Sequence, residues 1–450
     1  LVGCDPEARS SRVDTDTDTD TDVDTDVDTD TDRPALGVAC AGTDNVLRFT
    51  CVVEVDPPQP VTLRAARADG TGVRVVEGSA PSARHALEVD FLAPATSYTV
   101  EVNAGGAVAA TQLETGFPPL SVASSLVVSG TSSTPYVASN HPCSPRSAVA
   151  GVWDTATGEL VWYQTLQETG SLGGFNVVQF TEDHTVLGLT GDTVVEVNRS
   201  GRDLLRVPYA RDFNHDLVRR DGFTWLIYSQ GGGGALLQGV SVWDASGVEV
   251  ANVFLGDLPR VPAGVAGDWT HANSVFADAN HQVYLSLYTQ STLLKLDGDP
   301  ARPTFGQLEW VLAGGPPAGL GQDFALDWSR IDGPDTFARQ HYATLRADGR
   351  LSLLDNAHGR ALLLSLDEPA RTGIVEEVYA AGRPICGPQG TTTETATGDV
   401  LVGCSGMDLA EYPLGSAVPA WEATLVCDNG ELGVGPGNFG AARWYSLHGW

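Results

Sequence analysis

The stretch Asp268-Trp269-Thr270-His271-Ala272-Asn273-Ser274-Val275 decides the reading of this chain. A short alternating run, Tyr284-Leu285-Ser286-Leu287-Tyr288, follows it and reads as a β-strand. His271 and Asn273 therefore stand near the mouth of a strand, and in an extended entry both side chains share one face. Two similar entries flank this one. Phe213-Asn214-His215-Asp216-Leu217 precedes the strand-type run Thr224–Tyr228, and Arg339-Gln340-His341-Tyr342-Ala343 precedes Arg350–Asp355. Each histidine begins one unit of a repeating β pattern. If the units are arranged radially, their entry segments meet in one place.

The rest of the chain supports that pattern. A strand, a turn built on Asp, Asn or Gly, and a second strand recur in Val152–Trp162, Val194–Gly201 and Val242–Val250, and with an insertion in Leu294–Val311. The spacing of the turns suits four-stranded propeller blades. About six units follow, at 124–166, 172–210, 213–256, 269–313, 339–381 and 387–445. Trp153, Trp162, Trp243 and Trp310, beside the turns, read as packing between units, because each offers a large apolar area. Composition agrees. The chain has 450 residues, 51 of them glycine and 26 proline, and only 18% are charged. Such a chain reads as all-β with many turns.

Before the repeats, alternating runs at 46–55, 61–65, 73–77, 85–91, 98–102 and 111–115 predict a small β-sandwich over 34–116. Its segment 92–102 resembles the late-strand signature of fibronectin type III domains. His85 reads as a surface residue of one of its strands. Phe117-Pro118-Pro119 marks the linker, and 120–450 is the expected propeller. Gly231–Gly234 lacks the strand-to-helix setting and the following Lys-Ser/Thr of a phosphate loop.

Residues 1–33 read differently. Ten aspartates alternate with Thr or Val between Asp14 and Asp32. Charge at that density keeps a segment extended and solvated, so a disordered acidic spacer is expected. Strict alternation lacks the glycine turn of a calcium loop. The formal net charge of −31 argues against nucleic-acid partners and acidic membrane surfaces. No run of eighteen apolar residues exists, so no segment reads as a membrane-spanning helix. Leu1-Val2-Gly3-Cys4 resembles the cleavage box of bacterial lipoproteins, which implies lipidation at Cys4. The expectation is an exported periplasmic or cell-surface lipoprotein, held to a membrane only through that anchor. Export permits disulfides. Cys40 with Cys51, and two of Cys386, Cys404 and Cys427, are candidate pairs; Cys143 takes the one left over, or none pairs.

The three histidine entries also resemble the bacterial arylsulfate sulfotransferases and related arylsulfotransferase-like propeller proteins, over roughly residues 120–445. The resemblance rests on His215-Asp216, on Asp268 to Ser274, and on Gln340-His341 followed by Asp348 to Asn356. It implies a six-bladed, exported protein that moves a sulfuryl group from a phenolic sulfate to a phenol through a sulfohistidine, with no cofactor and no resident metal. His341 would be the nucleophile. His215 and His271 would bind sulfate oxygens, one of them shuttling the proton, and Asn273 would orient His271 or a sulfate oxygen. The family usually carries an arginine in a Ser-x-Arg pattern after the residue matching His271. Here Ser286-Leu287-Tyr288 puts a tyrosine there, with one hydroxyl and no fixed charge. Tyr288 and Arg339 are therefore the substrate-binding candidates at that place. Two further readings stay open: a catalytically silent surface propeller that binds a ligand or protein, and a three-histidine metal site. Oligomeric state is open.

Overall fold

The computed structural model describes residues 34–119, 122–140, 149–165, 177–190, 193–209, 211–232, 235–315, 319–387, 389–404, 408–427, 443–447 and 450. Cys4 and the acidic spacer lie outside the described residues. Within them the protein is all-β and propeller-like, with seven sheets and no α-helix. No helix among them is long and apolar enough to cross a membrane.

The first sheet comprises Ala35–Gly42, Phe49–Arg67, Arg74–Val89, Ser97–Ala104 and Ala107–Glu114. Fewer and longer strands form than the alternating runs predict. Phe49–Arg67 joins two of those runs, with register shifts around Gln59, where prolines 57, 58 and 60 cluster. Its first half pairs with Ala35–Gly42 and its second with Ser97–Ala104. The sheet thus folds over one core made of Phe49, Cys51, Val53, Leu63, Val89 and Val100. Cys40 and Cys51, directly opposed in the register, are disulfide-bonded. His85 is buried, not on the surface. Its Nε2 bonds the carbonyls of Gln59 and Ser82 (2.9 and 3.2 Å), so it ties the corner of the long strand.

The other six sheets have four or five strands each and are mainly antiparallel. Their leading strands are Val177–Phe180, Asp212–Arg220, Ala272–Ala277, His341–Leu345, Gly390–Glu394 and Tyr445–Leu447. Each leading strand touches the next in that order, and Tyr136–Asn140, paired with Tyr445–Leu447, touches Val177–Phe180. The circuit is closed. Middle strands such as Thr185–Leu189, Leu351–Asp355 and Val400–Cys404 are buried at every residue. Trp421–Cys427, the fourth strand of its sheet, and Ser124–Gly130, the last, instead carry exposed residues. That contrast is expected where sheets stack face to face and only their outer strands meet water.

The ends of the circuit interlock in a way the local repeat does not predict. Ser124–Gly130 pairs with Trp421–Cys427, whereas Tyr136–Asn140 pairs with Tyr445–Leu447. The expected unit 124–166 is therefore divided between two sheets. The tryptophans sit in clusters that bridge sheets: Trp153 with Leu401 and Trp421, Trp162 with Val186 and Val195, Trp243 with Leu187 and Val194, Trp310 with Leu353 and Leu362. Indole N–H groups add hydrogen bonds across sheets, from Trp162 to Arg199 O (3.1 Å), Trp225 to Gly298 O (2.9 Å) and Trp421 to Thr155 O (3.0 Å). A buried indole that finds such an acceptor keeps its apolar contacts without an unpaired donor. Cys386–Cys404 is a second disulfide and closes the hairpin of Gly390–Glu394 with Val400–Cys404; Cys427 is also disulfide-bonded. Such bonds form in oxidising compartments and fit an exported protein.

Candidate active site

The second, third and fourth leading strands share one irregularity. Their pairing slips between Phe213 and Leu217, between Ala272 and Ser274, and between His341 and Thr344. At or beside each slip a residue other than glycine takes a left-handed backbone: His215 (φ 60°), His271 (φ 44°), Arg339 (φ 54°) and Tyr342 (φ 49°). Bulges of this kind re-aim a side chain, and residues held at positive φ need their surroundings to hold them there. Here polar neighbours do so. Asp216 accepts from Leu217 N–H (2.6 Å) and from Val275 N–H of the next sheet (2.7 Å). Gln238 bonds Thr270 and accepts from Ala272 N–H, on either side of His271. Asn273 Nδ2 donates to Gln340 O (2.8 Å), Tyr342 N–H to Ser274 Oγ (2.9 Å), and buried Gln340 donates to Leu287 O, Thr292 O and Ser286 Oγ. The polar residues around each histidine are thus staples from sheet to sheet.

The staples bring the three histidines together. The rings of His215 and His271 lie 4.8 Å apart between centroids, His271 and Tyr288 5.1 Å, and Tyr288 and His341 5.4 Å. A cavity of about 240 Å³ opens against this group. One part of its lining is apolar (Val177, Leu189, Phe213); the other is polar (Asn214, His215, Asn273, His341, Arg443). His271 and Tyr288 flank it without being among its lining residues.

Each histidine has its own chemistry. His341 is buried; its Nδ1 donates to Asn356 Oδ1 (3.0 Å) and Arg339 O (3.2 Å). Its Nε2 accepts from Gln389 N–H (3.1 Å). Both Nδ1 partners are acceptors, so the ring is neutral with its proton on Nδ1 and its lone pair on Nε2. Burial holds its pKa down at about 3, against the pull of Asn356. His215 is held at about 4, by burial first and then by the neighbouring His271. Nδ1 of His271 pairs with the carboxylate of Asp268, three residues earlier. That carboxylate orients the imidazole.

The residue that motif reading missed is Arg443. It is buried at the cavity wall, its guanidinium 4.8 Å from the centre of the Tyr342 ring and ion-paired with Asp216. Burial opposes the charge on Arg443, yet Asp216 keeps its pKa above the ordinary arginine value. Arg339 contributes differently from the expectation. Positive φ at Arg339 breaks the alternation that would put it on the face of His341; its side chain is exposed, and what reaches the site is its carbonyl. The signal for Arg443 is faint: an arginine in the run Ala442-Arg443-Trp444-Tyr445, in a chain with only 26 Lys and Arg. Among the described residues, no group of three His, Cys, Asp or Glu is placed to hold a metal ion.

Residues 248–370 match the family model described as arylsulfotransferase. This segment carries His271, Asn273, Tyr288, Arg339 and His341 but neither His215 nor Arg443. No curated protein matches the chain significantly. Solved structures similar to it include a protein of unknown function from Bacteroides caccae (12% identity, 60% of this chain and 82% of that one, TM-score 0.40). A virginiamycin B lyase from Staphylococcus aureus is also similar (8% identity, 68% and 99%, TM-score 0.37). These likenesses are too distant to inform fold or function.

Proposed function

We propose that the protein is an exported, nucleotide-independent arylsulfotransferase whose site lies at the hub of a six-bladed propeller spanning 120–450. A fibronectin type III-like sandwich over 34–116, an acidic spacer over 1–33 and a lipid anchor at Cys4 complete the proposed organisation. The observation that carries the reading is the state of His341: neutral, with its proton on Nδ1 and Nε2 as the accepting atom, at a mostly apolar cavity that also carries Asn214, His215, Asn273 and Arg443. An aryl ring suits the apolar wall and a sulfate group the polar one.

In the first step the Nε2 lone pair of His341 attacks sulfur and the bond from sulfur to the aryl oxygen breaks. The Gln389 N–H, released from Nε2, turns to a sulfuryl oxygen. Protonated His271 gives its Nε2 proton to the departing oxygen, while Asp268 balances the cation. The products are a phenol and an N-sulfonated His341, whose Nδ1–H stays on Asn356 Oδ1. In the second step the acceptor phenol returns a proton to His271, its oxygen attacks sulfur, and the nitrogen–sulfur bond breaks. His341 is neutral again. Arg443 and His215 would steady the sulfuryl oxygens.

The test is transfer from 4-nitrophenyl sulfate to a panel of phenols, with mass spectrometry of the intermediate. One SO₃ group on the peptide containing His341, absent in H341A, is expected. No nitrophenolate release with any acceptor would end the enzymatic reading. One observation favours the silent surface propeller as second reading: the arginine at the cavity wall is already paired with Asp216, and Tyr288 brings no charge.

A further inference from the structure

The carboxylate that pairs with His271 is held by the preceding sheet. Gly267–Asp268 is a two-residue strand that runs parallel to the start of Ala235–Trp243, with Gly267 opposite Ala235 and Asp268 opposite Leu236. Ala235–Trp243 reaches that far because its hairpin with Phe223–Gly232 continues through the pairs Gly231 with Leu236 and Gly232 with Ala235. The glycine run that makes no phosphate loop thus lengthens the edge on which Asp268 rests. Gln238, two residues beyond Leu236, adds its side chain. It is buried, at 1% exposure, and both atoms of its amide serve the turn before His271. Oε1 accepts from the Thr270 hydroxyl and from Ala272 N–H (3.3 Å), and Nε2 donates to Asp268 Oδ1 (3.3 Å). The amide cannot be turned over, since Oε1 would then face a carboxylate and Nε2 the Ala272 N–H. Asp268 therefore has Oδ1 on Gln238 and Oδ2 on Nδ1 of His271.

We propose that Gln238 is a positioning residue of the site, which acts through Asp268 to decide the tautomer of His271. With Oδ1 taken by the Gln238 amide, Oδ2 is left to accept from the ring. The proton of the neutral imidazole then sits on Nδ1, and Nε2 is bare. A bare Nε2 is what the second half of the transfer needs, because it takes the proton of the acceptor. An imidazole in the wrong tautomer keeps its place and loses its use as a base. The consequence for turnover rests on the sulfuryl-transfer reading; the tautomer itself does not. The run Leu237-Gln238-Gly239 carries no local sign of this role, since every partner of the Gln238 side chain belongs to the next histidine entry.

The experiment uses the whole protein in three forms: wild type, D268N and D268N/Q238E. Nitrogen NMR of protein labelled in its histidines, with His271 assigned through H271Q, reads the tautomer of the neutral ring. Initial rates with phenyl sulfate and a phenol read turnover. Wild type is expected to carry the proton on Nδ1. In D268N the new amide keeps its oxygen on Gln238, its NH₂ faces the ring, and the proton moves to Nε2. In D268N/Q238E the new carboxylate still accepts from Thr270 and Ala272, but it can only accept from the amide opposite. That amide turns round, its oxygen faces the ring again, and the proton returns to Nδ1. Turnover should fall in D268N and recover about 10-fold in the double variant, the size of one restored hydrogen bond. A merely structural Gln238 predicts that the second substitution adds damage and leaves the tautomer of D268N unchanged. That result, or a wild-type ring with its proton on Nε2, would overturn the proposal. The tautomer swap without transfer by any form would remove the sulfotransferase reading and leave Gln238 in its role. Transfer by wild type without the swap would do the reverse.

Discussion

Nδ1 of His341 donates to Oδ1 of Asn356, and this bond determines which nitrogen of the ring faces the cavity. Asn356 also donates from Nδ2 to Gly387 O and Gln389 O (2.7 and 2.6 Å), so it holds the segment whose N–H meets Nε2. The N356A variant removes the tautomer control and the tether together. Turnover of 4-nitrophenyl sulfate should fall about 10²-fold, in line with loss of a supporting hydrogen bond to a reactive imidazole. Initial-rate kinetics with the folded variant checks this; unchanged kcat would show that Arg339 O alone suffices.

The acid side of the pH profile follows from burial. His341 and His215 are held at about 3 and about 4 in the folded protein, below the ordinary 6.5. Between these values and 6.5 the unfolded chain binds protons that the folded chain does not. Stability from these two groups is therefore complete above pH 6.5 and is lost as pH falls, by up to roughly 1.4 kcal/mol per unit for each histidine. Urea unfolding from pH 7 to pH 4 should show this slope, and H215Q and H341Q should each flatten it. A nucleophile that stays neutral also predicts no loss of attack at pH 6.5. The acid limb of kcat/KM that belongs to His341 should lie near pH 3.

Arg443 and Asp216 are both buried and depend on each other. The R443M variant strands a carboxylate in the hub and should destabilise the protein by about 3–5 kcal/mol. The double variant D216N/R443M should regain most of that in denaturant unfolding and yet transfer no sulfuryl group. The R443K variant keeps a charge without the guanidinium fork and should lose about 10-fold or more in turnover. Full activity of the double variant would remove Arg443 from the mechanism.

Asp268 pairs with His271, the acid of the proposed mechanism. Its loss should matter most when the departing phenol needs a proton. The D268N variant is expected to slow transfer from unsubstituted phenyl sulfate about 10²-fold and from 4-nitrophenyl sulfate much less. A plot of rate against leaving-group pKa should become steeper in the variant; parallel plots would exclude proton delivery through this pair.

The histidine register was legible in the sequence because each entry carries its own polar staples, Asp216, Asn273 with Ser274, and Gln340. These side chains have to sit next to the bulges they hold. The tryptophans were legible for a similar reason, since a strand pattern beside a turn already says which face is apolar. The pairing of Ser124–Gly130 with Trp421–Cys427 was not, because strands that meet across most of the chain leave no local trace of each other. Arg443 was hidden in the same way: its partner Asp216 belongs to another sheet. His85 misled because one exposed-looking alternation says nothing about a long strand that bends back over it.

That distance has a consequence for how the protein comes to work. Asp216, His271 and His341 leave the ribosome well before Arg443 does, and the strand after Arg443 makes the second of the two pairings that join the ends of the circuit. A partly made chain would hold all three imidazoles of the site and still lack the buried guanidinium beside them. On the proposed mechanism, competence is conferred late, with the segment that brings Arg443 to Asp216, and a chain stalled or clipped short of residue 443 is expected to transfer nothing.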